Sequence, residues 1–185
     1  NSQYISSDKS IGFQTVNNFS NITTNLTLNY NNKHSLTFDQ SSIEYKNKNK
    51  IFGIGKINRN WSFSPNTSLV LSTNARPPDS IYFLFENPTR SKNIFFSWLG
   101  PSSIEFFNSF TSSQIDKRKS MFTGTRFVIE PVQNFKFEFF KTSQLGGEDY
   151  NEDLSSFFAA MIGNTNESPH SNVNQMAGFG ISYLT

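Results

Sequence analysis

The sequence predicts an all-β fold of long antiparallel strands, and three observations carry that prediction. Apolar and polar residues alternate in period two over many segments, as in "NFKFEFF", Asn134 to Phe140. Successive side chains of a strand point to opposite faces, so Phe135, Phe137 and Phe139 share one face and Asn134, Lys136 and Glu138 the other. The alternating runs are long, and short polar turns separate them. No apolar run approaches the roughly 20 residues that a membrane-spanning helix needs, and the mean hydropathy is −0.48.

The elements follow in chain order. Ile22, Thr24, Leu26, Leu28 and Tyr30 alternate with Thr23, Asn25, Thr27 and Asn29. Ser35–Phe38, Ser42–Lys46 and Lys50–Lys56 are shorter strand candidates, the last two joined by the polar turn "NKNK". Further runs are Ser80–Glu86, Asn93–Leu99, Ser102–Thr111, Ser120–Glu130, Asn134–Gln144 and Gln175–Leu184. Several reach the ~9–11 residues with which a tilted strand crosses a bilayer. Pro131, in "EPVQN", marks a turn between two of them. One segment departs from this pattern. In "DLSSFFAAMIGN" the apolar residues Leu154, Phe157, Phe158, Met161 and Ile162 fall at helical spacing, with Asp153 as N-cap and Gly163 as stop. A short amphipathic helix is therefore expected over Leu154–Met161, on a long loop, its apolar stripe tucked against the sheet or into a barrel mouth. With no repeat and no linker, residues 1–185 read as a single domain.

Composition excludes several function classes. Apolar matter is concentrated in 21 Phe, against 3 Met and 2 Trp, and the hydrophobic share of 35% is low for a globular chain. A net charge of +2 is too small to argue for nucleic acid. The absence of cysteine excludes disulfides, iron–sulfur clusters and thiol catalysis. His34 and His170 stand far apart with no metal-ligand spacing, so neither metal nor cofactor is expected. Glu105, Glu130 and Glu138 invite a glycosidase reading, yet nothing fixes two carboxylates at the separation that chemistry requires. There is no P-loop and no Ser-His-Asp ordering. A non-catalytic role is expected.

Three strands show the same two-faced character. Met121, Thr123, Thr125, Phe127 and Ile129 carry no charge and oppose Arg126 and Glu130; Ile104, Phe106 and Phe110 oppose Glu105; three Phe oppose Lys136 and Glu138. A barrel in lipid keeps charge off its outer face, where it costs ~2–4 kcal/mol near the midplane. A soluble sandwich produces the same alternation between core and water. Two features favour the barrel. The uncharged face is unusually aromatic, and the other mixes small polar residues, large aromatics such as Phe107 and Phe140, and isolated charges, as a barrel lumen does. The runs also exceed the ~5–6 residues usual for sandwich strands.

Six ordered motifs sharpen this. "GKINRNW" (Gly55–Trp61), "LVLSTNARP" (Leu69–Pro77), "SWLGP" (Ser97–Pro101), "QLGGE" (Gln144–Glu148), "LSSFFAAMIG" (Leu154–Gly163) and "NQMAGFG" (Asn174–Gly180) together resemble the Wzi-type capsule assembly family, over roughly Asp39 to Tyr183. The resemblance implies an antiparallel transmembrane β-barrel of about eighteen strands in the bacterial outer membrane, polar and plugged inside. It also implies a non-catalytic, lectin-like role in binding or organising capsular polysaccharide, with outer-membrane lipid as the other partner. The strands countable here form about half of such a barrel, so the chain is expected to be a partial barrel, incomplete at both ends and monomeric when complete. Two positions depart from the family pattern. "NWSFSP", Asn60–Pro65, replaces a tryptophan-rich segment, and Gly180 replaces an acidic residue.

The residues singled out for polysaccharide binding or a lumen network are Arg59, Trp61, Asn74, Arg76, Glu105, Arg126, Glu138 and Glu148. Arg59 and Trp61 offer a sugar-stacking pair, although Trp61 also suits a membrane-interface anchor. Arg76, in the turn-like "NARPPDS", either holds a saccharide or pairs with a lumen carboxylate. Glu148 follows the sharp-turn pair Gly146 and Gly147 and offers an acceptor to sugar hydroxyls. Glu105, Arg126, Lys136 and Glu138 read as a cross-strand charge network. In an aqueous lumen Glu138→Gln should be harmless, whereas Phe137→Arg should impair barrel assembly. A porin-like open channel and a soluble β-sandwich carbohydrate module are the competing readings.

Overall fold

In a computed structural model, the described residues are 10–31, 35–63, 68, 70–71, 76–112, 119–145, 155 and 174–184. Of the helix expected at Leu154–Met161, Ser155 alone is among them, and it is helical; the Gly146–Glu148 turn and Asn74 lie outside them. Ten strands form one antiparallel sheet: β1 (Ser10–Phe19), β2 (Ile22–Asn31), β3 (Ser35–Thr37), β4 (Ser42–Asn47), β5 (Lys50–Gly55), β6 (Ser80–Asn87), β7 (Ser102–Ser112), β8 (Lys119–Val132), β9 (Phe135–Leu145) and β10 (Asn174–Tyr183). Strands neighbour one another in chain order from β1 to β10, with β3 set aside as a short second partner of β2. Among the described residues β1 and β10 are the free edges, so this sheet is not closed. An unpaired row of backbone donors and acceptors calls for further strands or cover.

Apart from residues 88–101, the connections sort by length to opposite ends of the sheet. Two-residue turns join β1 to β2, β4 to β5 and β8 to β9. Each places one residue at positive φ: Ser20, Lys48 and Asn134. The excursions 56–79, 113–118 and 146–173 leave from the other end.

Cross-strand register fixes the two faces. One row runs Ile104, Phe127, Phe139, Phe179 across β7 to β10. Tyr45, Phe52 and Phe83 form another across β4 to β6. On this apolar face Phe13, Phe19, Ile43, Ile54, Ile81 and Phe179 are all more than half exposed. Two charges sit on it, Lys50 at its turn end and Lys141 just past the middle of β9. The opposite, polar face carries Glu44, Lys46, Glu86, Glu105, Arg126, Lys136 and Glu138. A soluble sheet would bury its aromatic face and expose its charges. Here Glu138 is 3% exposed and Phe139 50%. Sandwich packing of the three Phe against a second sheet is not what the chain adopts.

Three expectations are corrected. Asn93–Leu99 is not a strand but a turn running into a 3-10 helix at Ser97–Leu99. Its neighbouring Phe95 and Phe96 break the alternation that a two-faced strand requires. Pro131 does not end β8 but lies inside it, at a register shift between Ile129 and Val132. Proline has no N–H for the ladder, and a bulge absorbs that loss. β1 was not anticipated, because Asn, Gln, Thr and Gly on both of its faces mute the period.

Candidate functional site

The polar face is filled by the chain's own loop. After β5 the backbone turns inward, and the Trp61 N–H donates to the Leu71 carbonyl at 3.2 Å. Trp61 is 1% exposed and Arg59 8%. The Trp61 ring meets Phe107 edge-on, with centroids 5.4 Å apart. The Arg59 guanidinium lies over Phe107 at 4.4 Å and over Tyr82 at 5.2 Å, a cation–π stack in a desolvated setting. Two glycines make room. A Cβ at Gly124 would strike the Phe107 and Trp61 rings, and one at Gly53 would strike Tyr82.

Glu105 secures this loop. Its Oε1 accepts from Arg59 Nε at 2.9 Å, and its Oε2 from Trp61 Nε1 at 3.0 Å. Arg59 also donates to the Ser80 hydroxyl at 3.1 Å and the Ile57 carbonyl at 3.4 Å. Burial pushes the Arg59 guanidinium below its ordinary pKa, and Glu105 pulls it back; arginine stays charged throughout the accessible range. Beside it, the Tyr82 hydroxyl donates to Glu44 Oε1 at 2.6 Å. The Arg59, Trp61 and Tyr82 donors each have an acceptor, which burial of such groups demands.

Arg126 stands opposite Glu105 in register but reaches Glu138 on β9 instead, donating to its Oε2 from two nitrogens at 2.6 and 2.9 Å. Lys136 pairs with Glu130 at 3.7 Å. Nearer the loop end, Arg76 makes a two-pronged bond to Asp39, at 2.8 and 3.1 Å, while its side chain stays 53% exposed. The Asp39 carboxylate beside it raises the Arg76 pKa. A cleft of about 140 Å³ opens there, lined by Arg59, Arg76, Pro77, Pro78, Phe107 and Phe122 among others.

The sequence-predicted residues thus divide into groups. Arg59, Trp61 and Glu105 come together in the plug, and Arg126 and Glu138 in a second pair. Arg76 stands apart with Asp39, and Asn74 and Glu148 lie outside the described residues. Trp61 is too buried to stack on a sugar or to anchor in an interface. Asp39, Tyr82 and Phe122 belong to the same region and carry no motif that marks them in the sequence. Asp39 lies in an ordinary polar turn, and only the folded loops bring it to Arg76.

A meander with an aromatic face nearly free of charge on one side, and a charged face plugged by its own loop on the other, is the wall of a β-barrel. The chain belongs to the family of the capsule assembly protein Wzi, whose profile matches residues 4–185. It is also similar to a solved structure, Wzi from Escherichia coli, titled an outer membrane protein involved in group 1 capsule assembly and a carbohydrate-binding β-barrel. That similarity has a TM-score of 0.77 at 20% identity, covering 94% of this chain and 38% of the other. The chain therefore spans well under half the length of that barrel. Comparison with curated protein sequences gives no match.

Proposed function

We propose that the protein to which this segment belongs is an outer-membrane barrel that binds capsular polysaccharide at its loop end, without catalysis and without a cofactor. Further strands meet the free edges of β1 and β10 to close one barrel, which works as a monomer in outer-membrane lipid. The apolar face meets lipid, and the polar face is the lumen. Long loops on outer-membrane barrels face outward from the cell, which puts the Arg76 cleft on the side where capsule lies.

The single observation behind this reading is the half-exposed Arg76 guanidinium at a cleft that the partly buried Phe122 ring also lines. Arginine donors suit sugar hydroxyls and carboxylates, and aromatic faces suit sugar C–H surfaces. Arg126 and Glu138 have a different role, holding the wall, and Arg59, Trp61 and Glu105 hold the plug. The plug disfavours the porin-like alternative, since a filled lumen conducts poorly.

The test is a titration of the full-length protein in detergent with oligosaccharide fragments of the capsule of its source strain. Saturable binding that weakens about tenfold in Arg76→Ala, as loss of hydrogen bonds from a charged donor would cause, is the expected result. Equal binding by both proteins would place the site elsewhere, and no binding by either would overturn the reading.

A further inference from the structure

The short-turn end of the sheet has one exception among its described connections. The segment from β6 to β7, residues 88–101, is far longer than the two-residue turns beside it. It carries Ile94, Phe95, Phe96 and Trp98, exposed by 81%, 78%, 57% and 61%. No charge interrupts Ile94 to Leu99. Apolar side chains free to collapse onto a neighbouring sheet would do so, and these do not.

The backbone shows why. The Phe95 N–H donates to Asn93 Oδ1 at 2.9 Å, and the Phe96 N–H to the Asn93 carbonyl at 3.0 Å. The Ser97 hydroxyl donates to the Ile94 carbonyl at 3.1 Å. Arg90 then clamps the segment to the barrel wall: one nitrogen donates to the Ser97 carbonyl at 3.0 Å, another to the Pro131 carbonyl of β8 at 2.7 Å. Gly100, at φ 68°, lies so close to the Glu130 backbone that a Cβ would collide with it. A hydrogen-bonded scaffold tied to β8 thus holds four apolar side chains off the protein.

Exposed apolar clusters mark surfaces that meet something other than water. This one continues the apolar face. It follows Phe85, the last aromatic of that face on β6, and precedes Ile104, its partner in register on β7. Val132, one residue beyond the carbonyl that Arg90 grips, is 65% exposed. We propose that Ile94–Trp98 is a membrane-interface anchor, seated in the headgroup region of the leaflet on the short-turn side. Trp98 sits at the boundary, where an apolar ring with one polar N–H is most at home. The proposal rests on the reading that the apolar face meets lipid.

The experiment uses the full-length protein in phosphatidylcholine vesicles whose acyl chains are brominated either near the headgroup or near the chain end. The signal of Trp98 is the difference between wild type and Trp98→Phe, a change too conservative to disturb folding. That difference should be quenched roughly twofold more strongly by shallow than by deep bromine, as an interfacial indole requires, and little by aqueous acrylamide. A Phe139→Trp probe, in the middle of the apolar face, should respond instead to deep bromine. If the Phe139→Trp probe is quenched by bromine while Trp98 responds only to acrylamide or to nothing, the anchor is wrong and the lipid-facing reading stands. If neither tryptophan senses bromine, the lipid-facing reading itself has failed and takes the anchor with it.

Discussion

The Trp61 indole N–H donates to Glu105 Oε2 at 3.0 Å, between residues far apart in sequence, while Glu105 Oε1 takes the Arg59 guanidinium at 2.9 Å. One carboxylate on β7 thereby holds both Arg59 and Trp61 of the loop that fills the polar face. Without Glu105 the buried indole N–H loses its acceptor and the buried Arg59 loses its counter-charge, keeping the Ser80 hydroxyl and the Ile57 carbonyl.

Glu105→Ala should therefore destabilise the barrel by about 3–5 kcal/mol, the range for stranding one member of a buried ion pair. Arg59→Ala and Glu105→Ala together should cost much less than the sum of the two, because the double change leaves no orphaned charge. Urea unfolding of the full-length protein in detergent micelles measures both. Additive effects would mean that the two residues do not act through each other.

Gly124 has no side chain because the Phe107 and Trp61 rings occupy the space. Gly124→Val should destabilise by about 1–3 kcal/mol, the usual penalty for forcing extra carbon into a packed site. Trp61 fluorescence should shift to the red as its ring is displaced toward water. An unshifted spectrum with full stability would mean that the loop packs elsewhere.

The pair Arg126–Glu138 corrects the expectation of a solvated lumen. Glu138 is 3% exposed and accepts two bonds from Arg126. Water cannot replace what Glu138→Gln removes, so that change should cost about 2 kcal/mol, in the range for a hydrogen bond to a charged group. Lys136→Gln, at an exposed and longer pair with Glu130, should stay within about 1 kcal/mol. Equal effects at both positions, read from the same unfolding curves, would contradict this ordering.

Phe137 shares its face with Phe135 and Phe139, opposite Lys136 and Glu138. Phe137→Arg should slow or block insertion, since a guanidinium facing hydrocarbon costs ~2–4 kcal/mol near the midplane. A one-residue slip would not rescue it, because every neighbour would change face at once. The folded fraction on unheated gels after refolding into vesicles reports the outcome. Wild-type yield would place Phe137 outside the hydrocarbon.

Much of the wall was legible in the sequence because alternation is a local property. The faces of β2, β7, β8 and β9 follow directly from period two. Asn93–Leu99 misled because aromatic richness mimics a strand even where Phe95 and Phe96 adjoin and break the alternation, and β1 was hidden by polar residues on both faces. The plug was not legible. Arg59 and Trp61 carry the signs of a sugar site, and only the inward path of the loop, which depends on Gly53 and Gly124 leaving space on other strands, turns them into interior packing. The partners of Arg59 and Arg76 were equally hidden, since loop paths decide them, not spacing; for Arg126 the sequence offers Glu105 and Glu138 alike, and diagonal reach decides between them. Arg126 bonds Glu138 and not its register partner Glu105, whose two carboxylate oxygens each already take a donor from the plug.

The measurement that bears most directly on a barrel wall closed by its own loop is the conductance of the full-length protein in a planar bilayer. The pinned loop predicts little steady current from the wild type and a clear increase from Glu105→Ala, which frees Arg59 and Trp61 from the wall. A large steady current through the wild-type protein, unchanged by Glu105→Ala, would contradict it.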